Sequence, residues 1–587
     1  MRAPASLPRF SPRSPEAHPA FAFYNRPIVV RISLRPIRRL FHLAILIAAS
    51  ASINAIQVQA QSVASGPDAD SPADIRQPGG RLVLVLPFDN RSGQQNLNWI
   101  GDSFPYTLDQ RLTSAGFLTI SRDDRQYALD HLGLPPDFKP SRATTIRIAQ
   151  TLDADYVIVG SFDVEDAGAG TPRISVQAQV LEVNQLRMSK PLEDSAELSR
   201  LFDVENAIAW KVAQRMDPHF AVAEQTFLAA AGGVRLSSFE DYIRGTSAPT
   251  PEERLKRLQA AVAETPNYTA ALLALGKEQY AALEYEEAAT TLAKVPATDR
   301  VALEAGFYRG LARFNAAKYA EAAAAFAFVA ARLPLPEVVN DQGVAASRQG
   351  KDAVALFEQV IATDPNDADY HFNLAVALIG RNDIAGAIRE VEAALKLHGD
   401  DPEATELLTR LQSTHGSIAN LKPILSADGF DPTTRIRRTW SEASFRQAAF
   451  QLDQMRAIQM ATLPPAQQAV EYTKLGEGYL AQGLIPEAEQ EFQTAMNADP
   501  NNAAAHAGLA QVRERSGAAD DARAEAQASI RLAPNVEAYM VLARVDLQAG
   551  QLAASAVDVS NALRLEPGNT AVLGMKTALA ARGQALP

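Results

Sequence analysis

The sequence predicts a multidomain chain: a small α/β domain followed by an all-α superhelix of stacked helix pairs. Three observations carry that prediction. Gly, Ala, aromatic and Pro positions recur with a fixed period in the C-terminal half, where Pro500 and Pro534 stand 34 residues apart. Short apolar runs alternate with helical spacing between residues 80 and 233. The chain of 587 residues also exceeds what one hydrophobic core usually organises. At 47% hydrophobic and 21% charged residues it has the composition of a folded protein. It has no cysteine, which excludes disulfides, thiolate metal sites, a catalytic cysteine and a lipidated-cysteine anchor.

Charge divides the chain. Residues 1–60 hold eight Arg and one acid, a net of +7, within an overall charge of −12. The remainder therefore carries −19, which argues against nucleic acid as a partner. Arg31, Arg35, Arg38 and Arg39 precede the apolar run Leu40–Ala49, and Val58-Gln59-Ala60 supplies a small-x-small ending. This is the pattern of a signal peptide, with cleavage expected after Ala60 and retention as an N-terminal anchor as the second reading. Arg38-Arg39 leaves Sec and twin-arginine export both open. Residues 61–79 are rich in Ser, Asp, Gly and Pro and read as a flexible linker. The expected location is periplasmic or secreted, with envelope association.

Residues 80–233 form the expected α/β domain. Arg81–Phe88 is a branched apolar run and reads as a buried strand. Asp89–Gly93 is a turn, Ile100–Ala115 a helix and Phe117–Ile120 a second strand. Helices are expected over 122–132, 141–152 and 204–216. Tyr156–Val164 and Ile174–Val183 flank a Gly-rich turn at 166–171 and read as a hairpin. LPFDNRSG, the helix opening near GDSF, and ADYVIVGSF followed by an alternating strand resemble the TolB amino-terminal-like domain. Curli-secretion-type lipoprotein domains look similar. The resemblance implies an exported or envelope-associated binding domain with no known chemistry of its own.

The repeats come next. Leu475, Gly476, Tyr479, Gly483, Ala488, Phe492, Ala495 and Pro500 form the clearest copy. Two further copies end at Pro534 and Pro567, and residues 570–582 read as a lone closing helix. An earlier block has less regular copies, one around Leu374 and Ala387, another around Gly310 and Phe326. The copy from 337 to Pro365 is two residues short between Gly343 and Phe357. These spacings resemble the tetratricopeptide repeat. Small residues let two helices approach, aromatics fill the space beside them, and Pro stops the second helix. Four to five units are expected over 234–415 and three over 466–587. Residues 416–465 interrupt the array as a connecting segment. There, SADGFDP reads as a loop, Thr439–Glu442 as a capping box opening a helix through about Ile458 whose face carries Phe445, Ala449, Leu452 and Met455, and Pro464-Pro465 as the end of the segment. Packing rather than a hinge is expected, because Trp440 and Phe445 would be costly to expose.

No catalytic spacing stands out. His131, His219, His371, His398, His415 and His506 occur in no metal-binding pattern, and no Walker loop, nucleophile elbow or dinucleotide fingerprint is present. Asp123-Asp124 and Asp520-Asp521 would splay on a helix, so they read as caps. Asn90-Arg91-Ser92 reads as turn chemistry. The chain is expected to be a non-enzyme without cofactor or metal. The candidate surface is the concave face of the repeats, with Phe372, Asn373, Val376 and Ile379 in one unit, Thr473, Lys474, Glu477 and Leu480 in another, and Met540 and Arg544 in a third. The partners expected there are peptides or helices of other proteins. The loop 89–93 facing the helix start near Gly101 is a second candidate, for an anion or peptide end. Three other roles remain open: an accessory component of a secretion or outer-membrane assembly system, an enzyme with an unrecognised site in the α/β domain, and a ligand-sensing α/β domain coupled to repeats.

Overall fold

The computed structural model describes residues 82–134, 141–165, 171–229, 233–440 and 442–587. The expected leader (1–60) and linker (61–79) lie outside the described residues, as do Ser441 and most of the turn at 166–171.

The chain opens with β1 (Leu82–Val85), β2 (Asp89–Asn90), α1 (Asn98–Ser114), β3 (Leu118–Thr119), α2 (Arg122–His131) and α3 (Arg142–Thr151). Next come β4 (Tyr156–Glu165), β5 (Arg173–Glu182), β6 (Arg187–Met188), β7 (Leu192–Glu197), α4 (Leu201–Met216) and α5 (Glu224–Ala229). They build a mixed sheet. β3, β1 and β4 are parallel, with Val83 opposite both Thr119 and Tyr156. β4 and β5 form the long antiparallel hairpin, from Tyr156 opposite Glu182 to Glu165 opposite Arg173. The strand β7 was not expected. Its sequence LEDSAE has almost no apolar face, yet it pairs along β5 and covers that edge.

Side-chain alternation sends β1 into two cores. Val83 and Val85 join Phe104, Leu108, Phe162 and Ile208 beneath α1 and α4. Leu84 joins Leu129, Ile148 and Leu181 beneath α2 and α3. The first core does not stop at the sheet. It runs on through Phe227, Phe239, Tyr242, Leu258 and Tyr268, so the α/β domain and the first repeats share apolar interior. The helix α1 begins at Asn98, not Ile100, and crosses β1 closely. A Cβ on Gly101 would lie 2.4 Å from the Phe88 carbonyl oxygen, so only glycine fits.

The first array has six helix pairs. They are α6 (Leu236–Ser247) with α7 (Pro251–Glu264), α8 (Thr269–Ala281) with α9 (Tyr285–Leu292), and α10 (Ala302–Asn315) with α11 (Tyr319–Ala330). The others are α12 (Pro336–Arg348) with α13 (Val354–Thr363), α14 (Ala368–Gly380) with α15 (Ile384–Leu397), and α16 (Pro402–Ser413) with α17 (Ile418–Leu425). The count of four to five units is thus low. The pair α16/α17 straddles residue 415, the expected end of the array, and α17 carries Pro423 inside it. In the short copy the deletion removes a helical turn: α13 starts at Val354, only just before Phe357.

Residues 430–440 are without helix or strand, and α18 (Glu442–Ala461) follows. Trp440 and Phe445 dock as expected, the Trp440 ring 5.4 Å from Phe307 and 5.3 Å from Phe445. Farther along the expected apolar face the side chains turn to solvent. Leu452 and Met455 are 37% and 51% exposed. Pro464-Pro465 lies between α18 and the second array, and Pro465 opens α19 (Pro465–Ala481) as its first residue, where a missing N–H is harmless. The second array continues with α20 (Ile485–Ala498), α21 (Ala503–Arg515), α22 (Ala519–Leu532), α23 (Val536–Gln548), α24 (Leu552–Leu565) and the single closing helix α25 (Thr570–Ala581).

Close approach explains the recurring small residues. A Cβ on Gly476 or Gly508 would meet the Phe492 ring at 2.7 and 2.3 Å. Between the helices of a pair one residue turns left-handed: Gly483, Gly517 and Gly550 do so, and Leu283 takes the same place at φ 65°. The second array returns to the α/β domain. Arg300 binds Glu487 at 2.6 Å and the Gln110 carbonyl oxygen at 3.0 Å. Buried Glu489 accepts from the Ala223 amide at 3.0 Å and from the Thr226 hydroxyl, and pairs with Arg513 at 2.8 Å.

Candidate peptide-binding groove

The first helices of successive pairs line the concave side of the first array, and a stretch of the chain itself lies there. Three alternate amides of that stretch are each held by a different helix. The Thr433 amide donates to Glu403 Oε1 of α16 at 3.2 Å. The Arg435 amide donates to Asn373 Oδ1 of α14 at 2.6 Å, and the Arg437 amide to Asp341 Oδ1 of α12 at 2.8 Å. The Arg435 carbonyl oxygen accepts from Asn373 Nδ2 at 2.8 Å and Asn340 Nδ2 at 3.0 Å. Asn373 Nδ2 also donates to Asn340 Oδ1 at 2.7 Å, so the two buried amides brace one another. An extended backbone presents its amides alternately, and this ladder reads every second one.

The side chains follow the same alternation. The Arg435 guanidinium lies 3.8 Å from the Phe372 ring centroid. It reaches Asp401 at 2.6 Å, Asp369 at 2.9 Å and Glu403 at 3.2 Å. Arg437 lies 5.2 Å from the Tyr370 ring and pairs with Asp367 and, at 3.2 Å, Asp369. Ile436, between them, packs into two apolar clusters of the array. Burial disfavours the Arg435 charge, but the bonds from Asp401 and Asp369 outweigh it and hold the guanidinium above its usual range. Burial likewise raises Asp401, and Arg435 overrides it to leave that carboxyl below the ordinary value.

Of the ten expected groove residues, Phe372 and Asn373 meet this stretch directly. Val376 and Ile379 are half-buried and pack within the array's own cluster. In the second array Thr473 is buried, its hydroxyl donating to the Ala469 carbonyl oxygen and accepting from Asn502. Leu480 and Met540 are buried in inter-helix cores. Lys474 is exposed and pairs with Glu471 at 2.7 Å. Glu477 is exposed, its carboxyl raised by partial burial and by Glu537. Arg544 is tied to Glu514 through both Nε and Nη2, at 2.5 and 2.6 Å. The candidate loop 89–93 closes on itself: Asn90 Oδ1 accepts from the Ser92 amide at 3.0 Å and Asn90 Nδ2 donates to Asn98. His371 and His506 occupy matching places, each bonded to a glutamate on the next helix, Glu390 and Glu525.

A second site lies where the α/β domain meets both arrays. A cavity of about 350 Å³ is lined by Tyr106, Arg111, Asn206, Thr265, Tyr268 and Glu487, among others. Thr265 Oγ1 and Glu487 Oε2 are buried there without a hydrogen-bond partner. Burial and the neighbouring Arg300 lower Arg111 to about 10. Among the described residues no helix is long and apolar enough to cross a membrane.

The tetratricopeptide repeat family matches residues 345–411 and 479–545. Both arrays therefore carry tetratricopeptide repeats. The fold is a mostly helical repeat superhelix with a small mixed sheet over residues 82–197. Repeats of this family bind protein partners and are typically non-enzymatic scaffolds. Comparison with curated proteins gave no match. Among solved structures, MamA from Desulfovibrio magneticus is 18% identical, covering 31% of this chain and 99% of that one at a TM-score of 0.26. The TPR2AB domain of yeast Sti1, in a complex with an HSP90 peptide, is 13% identical, covering 48% and 98% at 0.19. The C-terminal domain of LpoB from Escherichia coli is 22% identical, covering 20% and 83% at 0.17.

The residues missed by sequence reasoning have a signal of their own. Asp367 and Asp369 recur one repeat later as Asp401 and Glu403, and Asn340 recurs as Asn373. Opposite them, Arg435 and Arg437 share one face of an extended stretch.

Proposed function

We propose that the chain is an exported, non-enzymatic scaffold that holds extended segments of envelope proteins in its repeat grooves. The observation that carries this reading is the ladder of Glu403, Asn373 and Asp341 on alternate backbone amides, which grips a chain whatever its side chains. The basic and apolar leader with its Val58-Gln59-Ala60 ending supports export, and the LPFDNRSG-type words support a TolB amino-terminal-like domain. Crosslinking of the full chain in cells, with Asn340→Ala/Asn373→Ala as control, tests it. Envelope proteins should crosslink at helices of the first array and be lost in the control. A chain recovered from the cytosol with its leader intact would sink the export reading. An accessory role in a secretion or assembly machine would add stable co-sedimentation with membranes.

The junction cavity favours a second reading, in which the α/β domain senses a small ligand. Unpartnered Thr265 Oγ1 and Glu487 Oε2 call for a donor-rich molecule such as a polyol or sugar. A thermal shift of the full chain with a panel of these, abolished by Glu487→Gln, would support it; a blank panel retires it.

A further inference from the structure

The segment in the groove is held as a ligand is held. A connection that only had to span from α17 to α18 would need neither alternate-amide bonding nor two fully partnered guanidiniums. We propose that the concave face of α12, α14 and α16 is a recognition site for an extended peptide bearing two arginines two residues apart, and that residues 433–438 are its built-in occupant. This rests on the reading of the groove as a peptide-binding surface and adds the chemistry of what it takes.

Each part of the site selects for that chemistry. The ladder fixes an extended backbone, which places residues two apart on one side. That side faces Asp367, Asp369, Asp401 and Glu403, a wall of four acids contributed by two successive repeats. Arginine suits the wall better than lysine. The Arg435 fork engages three carboxylates while its flat face lies on Phe372. A lysine ammonium could keep one of these contacts but neither the fork nor the stacking. The residue between the arginines is Ile436, half-buried against two apolar clusters of the array, so an apolar side chain belongs there. Trp440 extends the occupied surface to Phe307 of α10. A partner with Arg, an apolar residue and Arg in an extended stretch would fit the same contacts and displace the internal segment.

The test uses the full chain and a labelled peptide of residues 431–440, DPTTRIRRTW. The unaltered protein should bind it weakly, because the site is filled. Arg435→Ala/Arg437→Ala frees the groove and should tighten binding by more than about tenfold. Adding Asn373→Ala to that variant should remove the gain, and a peptide with lysine in place of Arg435 and Arg437 should bind more than about tenfold weaker. If the double alanine variant loses its cooperative melt, Arg435→Lys/Arg437→Lys is read instead and should shift binding the same way. A folded variant of either kind that binds the peptide no better than the unaltered protein overturns the proposal. The broader scaffold reading fails separately: peptide binding in vitro with no partner crosslinked in cells would sink that reading and leave this one standing.

Discussion

Replacing Asn373 by alanine should undock residues 433–438 while leaving the repeats folded. The side chain is fully buried and makes three bonds of 2.6–2.8 Å, two to the Arg435 backbone and one to Asn340. Each net hydrogen bond is worth about 1 kcal/mol, and a buried group left unpaired costs about 1–3 kcal/mol. Alanine strands the Arg435 amide and Asn340 Oδ1, whereas the Arg435 carbonyl oxygen keeps its bond from Asn340. The docked state should therefore lose about 3 kcal/mol, a factor of about 150 in its local opening. Hydrogen exchange followed by mass spectrometry reads this directly. Amides in a fragment covering 433–440 should exchange about a hundredfold faster, with no change in α21 and α22. Unchanged protection at 433–440 in a folded variant would refute the ladder. Equal loss of protection across the whole first array would instead make Asn373 an ordinary core residue.

Three other outcomes are expected. Burial pushes the Glu205 carboxyl up to about 7, against the pull of Ser103, Thr107 and Arg111. The folded chain thus keeps a proton that the unfolded chain releases near pH 4.5, so stability falls by about 3 kcal/mol as pH rises from there to about 7. Urea midpoints across that range should flatten in Glu205→Gln, and identical profiles would contradict the assignment. Gly508→Ala should destabilise the second array by about 1–3 kcal/mol, because its Cβ would lie 2.3 Å from the Phe492 ring. Adding Phe492→Leu should soften that effect, as a calorimetric melt of the two variants would register. Leu283→Gly should stabilise by about 1 kcal/mol, since Leu283 sits exposed at φ 65° where glycine has no steric penalty. A lower melting temperature in that variant would count against the turn geometry.

The repeats were legible because each is a local unit. Gly476, Phe492 and Pro500 announce a helix pair without reference to anything distant. The last pair of the first array went uncounted because α16 and α17 straddle the boundary drawn at residue 415. Proline stops one helix and starts another with equal ease, so Pro464-Pro465 marked the end of the connecting segment without showing that Pro465 itself opens α19. The strand β7 was invisible because LEDSAE gains its structure from β5 rather than from its own pattern. The groove itself was half legible. Phe372 and Asn373 follow from repeat position, but what they touch stands 62 and more residues away, and no period links Arg435 to either. In the second array, position alone pointed to Thr473, Leu480 and Met540, and inter-helix packing claims all three.

The occupant at 433–438 is tethered at both ends, to α17 and to α18. A tethered ligand presents itself at an effective concentration of about a millimolar. A free peptide of equal intrinsic affinity, present at about a micromolar, would then hold only about one groove in a thousand. Entry is therefore a matter of threshold rather than of simple affinity. Partners that are scarce and monovalent stay out. Those that are abundant, clustered on a surface or able to grip a second site at the same time get in, and the chain responds to density where an empty groove would respond to mere presence.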